Sequence, residues 1–143
     1  MPLTLDGPDD YWTRSTSPDR LHVWIVSAYD VKMSHWILGG ALYRRDPEAK
    51  LFAAPAGWSF DTRTWLSTDA LKLEGRRYPG RLPGITLTID LRSATGTIVS
   101  DDLAALQRSG SFTGLSASEV PGAPRGSLPF DAIVRWLEAF PAT

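Results

Sequence analysis

Ile85-Thr86-Leu87-Thr88-Ile89-Asp90-Leu91-Arg92 alternates apolar and polar residues without a break. Successive side chains of a strand point to opposite faces, so Ile85, Leu87, Ile89 and Leu91 share one face. Thr86, Thr88, Asp90 and Arg92 take the other. This pattern predicts a strand in a sheet with one buried and one wet face, as antiparallel sheets commonly have. Ser93-Ala94-Thr95-Gly96 reads as the following turn and Thr97-Ile98-Val99 as a returning hairpin strand.

Downstream of this hairpin the period changes. Ser100 is a good N-cap, Asp101 and Asp102 suit the positive first turn, and Gly110 ends the segment, so 100–110 is expected as a short helix. Residues 111–128 hold Gly114, Pro121, Gly122, Pro124 and Gly126 and read as a loop. Phe130, Ile133, Val134, Leu137 and Phe140 have helical spacing, which predicts a C-terminal helix over 129–140. Ser127 is the expected cap of that helix, and Pro129 is tolerated in its first turn.

Upstream, Leu21-His22-Val23-Trp24-Ile25-Val26-Ser27-Ala28-Tyr29 is β-branched and aromatic on both faces, which predicts a central strand covered on both sides. His35–Arg44 and Lys50–Ala54 read as two more strands around a turn at Asp46–Ala49, so 21–54 resembles an antiparallel meander. Gly39-Gly40 inside the second strand signals a bulge, a bend or a close approach by another group. Trp58–Phe60 fits a strand. Asp61–Glu74 is ambiguous, and 68–74 reads equally as short helix or strand. Gly75–Gly84 reads as a loop, and residues 1–20, with Pro2, Pro8 and Pro18, as an irregular arm.

The expected architecture is therefore one domain over 1–143, mainly β from 21 to 99. Its class is α+β: a curved antiparallel meander sheet packed by one or two C-terminal helices. At 143 residues the chain buries roughly two-thirds of the surface it exposes unfolded. It has no cysteine, which excludes disulfides, thiol catalysis and Cys-ligated metals. With 15 basic and 16 acidic residues it lacks the basic excess of a general nucleic-acid binder. No apolar run approaches the ~20 residues of a membrane span, and the first ten residues do not resemble a secretory signal. A cytoplasmic setting is the simplest expectation.

No phosphate-cradling glycine loop, nucleophile elbow or His-Glu-x-x-His pattern is present. His22 and His35 fall on neighbouring expected strands, and with Asp30 they suggest a metal or proton-transfer site only if the rings meet; further ligands at recognisable spacing are lacking. Nothing brings Asp61 to Asp90 or Asp30 to Glu74 as a catalytic carboxylate pair. No metal or cofactor is expected.

Charge concentrates in Gly75-Arg76-Arg77-Tyr78-Pro79-Gly80-Arg81. Arg76, Arg77 and Arg81 around Tyr78 suit either a fork-like grip on carboxylate or phosphate or a solvated loop. Trp58 and Trp65 lie in a polar stretch and fit either interface anchors or the lid of a small core. A small, Trp- and Arg-rich chain without catalytic spacing fits a non-catalytic protein-binding module. Immunity- or antitoxin-type inhibitors and secretion-accessory proteins are examples, with an acidic protein surface as partner. The alternative is a small-molecule-binding β-barrel or cone, with a cofactor-free enzyme within its scope, whose pocket is lined by Trp24, Trp36 and Tyr43. A structural accessory subunit is a third class.

Overall fold

The computed structural model describes residues 14–31, 35–55, 57–77, 84–112, 115–116, 122 and 124–139; for 27–31, 35–38, 61, 111–112 and 115–116 it describes the backbone only. The α+β class is as expected: antiparallel strands dominate and there are two helices among the described residues, but the strands divide between two larger open sheets and a separate two-stranded pair.

The first sheet comprises β1 (Arg14–Thr16), β2 (His22–Val31), β3 (His35–Arg45) and β4 (Glu48–Ala53), in that spatial order. The expected meander is present, and β1 adds a short strand taken from the expected irregular arm. β2 is central, with Val23 and Trp24 buried on opposite faces. Gly39-Gly40 resolves as a close approach. A Cβ on Gly40 would lie 2.6 Å from the Trp24 ring, so only glycine leaves room for the indole. The register shift falls later, between Leu42 and Tyr43 against β4.

The second sheet is built from β5 (Trp58–Ser67), β6 (Ala70–Arg77), β7 (Gly84–Asp90) and β8 (Thr95–Val99). After α1 (Asp101–Ser109) come the short strands β9 (Ser111–Phe112), β10 (Leu115–Ser116) and β11 (Leu128–Pro129), then α2 (Phe130–Glu138). The spatial order is β11-β8-β7-β6-β5, and β9 and β10 form a separate antiparallel pair. The ambiguous stretch 61–74 is thus a strand hairpin turning at Thr68-Asp69. Two register shifts in β5, between Ser59 and Thr62 and between Trp65 and Ser67, break the period that would have revealed it. Opposite the first shift stands Gly75, where a Cβ would strike the Ser59 carbonyl and Phe60.

The alternation in β7 is realised: Ile85, Leu87 and Ile89 are buried, beside Leu71 and Leu73 of β6 and Ile98 of β8. One apolar cluster joins these to Trp24, Val26, Leu42 and Phe52 of the first sheet and to Ile133 and Leu137 of α2. Aromatic rings lock the join. Trp24 stacks on Phe52 at 6.4 Å and meets Phe60 edge-on at 6.3 Å, while Trp58 stacks on Phe60 at 6.0 Å.

α1 has the expected caps: the Ser100 hydroxyl accepts from the Leu103 N–H at 3.0 Å, and Gly110 closes the helix at φ 82°. Ser127 does not cap α2. The helix starts after Pro129, with no side-chain cap, because Leu128-Pro129 pairs with Thr95-Gly96 as β11 and the chain is still extended there.

Candidate functional site

The outer face of the second sheet carries the polar half of the alternation. Across it, Thr62, Glu74, Thr86 and Val99 form one cross-strand row, and Thr64, Lys72, Thr88 and Thr97 the next. At one end this face meets the first turn of α1. There an open groove of about 380 Å³ is lined by Glu74, Gly75, Arg76, Gly84, Ile85, Thr86, Val99, Ser100, Asp101 and Asp102.

The wall is held by specific bonds. Ser100 donates its hydroxyl to the Gly84 carbonyl while capping α1. Asp102 accepts from the Gly84 N–H at 3.2 Å. The helix start is thereby stitched to the first residue of β7, which fixes Asp101 and Asp102 beside the sheet. Arg76 is exposed opposite them, Glu74 pairs with Lys72 at 3.4 Å, and Val99 is 62% exposed. The groove combines one guanidinium, three carboxylates, hydroxyls and an apolar patch. That mixture is suited to holding an extended polar segment by hydrogen bonds and charge.

The residues expected to form a contact are only partly gathered here. Arg76 lines the groove. Arg77 is half-buried, with its guanidinium against Gly57. Tyr78 and Arg81 lie outside the described residues. Trp58 corrects the anchor reading: it is 0% exposed and donates its indole N–H to the Leu137 carbonyl at 2.8 Å, so it is a core residue and presents nothing to a partner. Trp65 is half-buried and donates to Ser15 Oγ at 3.1 Å, tying β5 to β1.

Among the described residues the alternative pocket is not assembled. Trp24 and Tyr43 stand one residue out of phase, since Trp24 faces Leu42 while Val23 faces Tyr43, so they project from opposite faces of the first sheet. Trp24 is sealed in the core, and Tyr43 lies under Lys50, whose Nζ is 5.9 Å from the ring centroid. The side chain of Trp36 lies outside the described residues.

The suggested meeting of His22 and His35 is overturned by register. The β2–β3 hairpin pairs His35 with Val31 and His22 with Arg44, so the two backbones stand at opposite ends of it, about 30 Å apart. Asp30 faces Trp36 in the same register. Among the described residues, no three His, Asp or Glu side chains gather as metal ligands. No described helix is long and apolar enough to cross a membrane.

Sequence reasoning missed Glu74, Thr86, Val99, Asp101 and Asp102 as groove residues. One signal was available. The alternation of β8 buries Gly96 and Ile98 and so leaves Val99 as an apolar residue on a wet face.

Compared with protein-family models, with curated proteins and with solved structures, the chain matches none.

Proposed function

We propose that the chain is a non-catalytic protein-binding module. Its contact surface is the groove formed by β6, β7, β8 and the start of α1. An immunity- or antitoxin-type inhibitor, or a secretion-accessory protein, is the kind of role it fits. The observation that carries this reading is where the groove lies: open, on the outer face of a sheet. The interior space between the sheets is taken up by Trp24, Phe52, Trp58 and Phe60. Small-molecule sites enclose most of their ligand, whereas an open polar groove with an apolar patch suits a segment of a partner protein.

An acidic group of the partner meets Arg76. The carboxylates of Glu74, Asp101 and Asp102 add a requirement that the sequence did not suggest: the same segment carries a basic group. We place the module in the cytoplasm, since a cysteine-free chain draws nothing from an oxidising compartment.

The test is site-specific photocrosslinking in the native cell. A benzoyl-phenylalanine at Val99 or Thr86 should capture one protein, and the same probe at exposed Asp131 on α2 should not. Identical adducts from all three positions, or none from the groove, would remove the reading.

A further inference from the structure

His22 opens β2 where the two sheets come together. Its Cα partner is Arg44. Its N–H donates to Ser17 Oγ at 3.1 Å and its carbonyl accepts from the Ser17 N–H at 2.9 Å. Ser17 is 2% exposed and donates its hydroxyl to the Asp19 carboxylate at 2.7 Å, which also accepts from the Leu21 N–H. The second sheet reaches the same place from the other side. Trp65 grips Ser15, and Asp69, in the β5–β6 turn, lies close enough to act electrostatically on His22. Turn 17–22 is thus bonded to the start of β2, β1 is tied to the second sheet by Trp65, and Asp69 of the β5–β6 turn acts on the imidazole through its charge.

That imidazole has a buried Nδ1 with no hydrogen-bond partner. In the neutral ring Nδ1 can stay an unprotonated acceptor. In the protonated ring both nitrogens are donors, so a charged N–H would be buried without an acceptor, which is far costlier. Burial accordingly pushes His22 below the usual imidazole range, and Arg44 acts in the same direction, against Asp19 and Asp69, which pull it up.

We propose that His22 is a pH-sensitive latch: with its ring neutral the start of β2 stays bonded to turn 17–22, and uptake of a proton at the buried Nδ1 loosens that turn. The folded state binds the proton more weakly than the unfolded chain. Stability is therefore full above the unfolded value, about 6.5, and declines as pH falls below it. The charged groups facing the ring are Asp19 from its own turn, Arg44 from β3 and Asp69 from the β5–β6 turn, the last paired with Arg92. Both carboxylates are held below the usual range, Asp19 chiefly by the Ser17 hydroxyl and Asp69 chiefly by the Ser67 hydroxyl. They stay ionised while His22 titrates.

The experiment is an NMR titration of the imidazole in the intact protein, with amide exchange followed at residues 15–25. The expected result is a His22 midpoint below about 6.5 and a loss of protection at those amides between pH 7 and pH 5. That loss should be absent in His22→Gln. A midpoint at or above the ordinary value, or protection that does not change with pH, overturns the latch. If His22→Gln fails to fold, the wild-type titration and exchange decide the matter alone.

Discussion

Replacing Trp58 separates its two sequence readings, because an interface anchor and a core residue respond oppositely to truncation. In the structure Trp58 is fully buried, stacks on Phe60 and donates to the Leu137 carbonyl near the end of α2. Trp58→Ala removes the ring and leaves a cavity between β5 and α2, a change that typically costs about 3–5 kcal/mol. Native stability is itself only about 5–15 kcal/mol. For a chain of this length 1 kcal/mol moves the unfolding midpoint by about 4 °C, so the expected fall is about 12–20 °C. Trp58→Phe keeps a ring against Phe60 but removes the indole bond to the Leu137 carbonyl, for about 0.5–1.5 kcal/mol, or about 2–6 °C. Circular dichroism melts of the three proteins at one pH are the assay. Alanine and phenylalanine variants that melt with the wild type would show that Trp58 does not join β5 to α2, and the packing described above would be wrong.

Other perturbations have equally definite outcomes. Gly40→Ala places a methyl group against the Trp24 ring and should cost about 1–3 kcal/mol through overpacking, read as a lower denaturant midpoint with an unchanged slope. Ser100→Ala removes the α1 cap and the tie to Gly84, for about 0.5–2 kcal/mol, and should raise amide exchange at Leu103. Arg76→Glu should leave the melt within about 0.5 kcal/mol of wild type, because the side chain is exposed. It should also abolish the photocrosslink from Val99.

The fold was legible wherever one face is buried and the other wet. In β7 and β8 burial alone sets the period, and in α1 Ser100 and Gly110 mark both ends. Where polar residues and bulges interrupt the period, as in β5, the strand was hidden. The division into two sheets was hidden for another reason: which strands pair is decided by long-range packing around Trp24 and Phe60, and no local pattern encodes it. The site was less legible still. Tryptophans in a polar stretch fit anchors and the lid of a core equally well, because the sequence does not show that α2 folds over Trp58. The groove joins Arg76 to Val99 and Asp101 only through the register of three strands, and composition carries no trace of that register.

The central claim is that a partner protein lies in the groove at the end of the second sheet. It is tested most directly by the affinity of the photocrosslinked protein, once purified, for the wild type and for the double variant Thr86→Arg, Val99→Arg. Both side chains stand on the outer face, where the two opposed like charges cost only about 0.2–1 kcal/mol, so the variant should fold and melt slightly below the wild type. The account predicts binding weakened at least about tenfold, equivalent to about 1.4 kcal/mol. Equal affinity in the folded variant would contradict it.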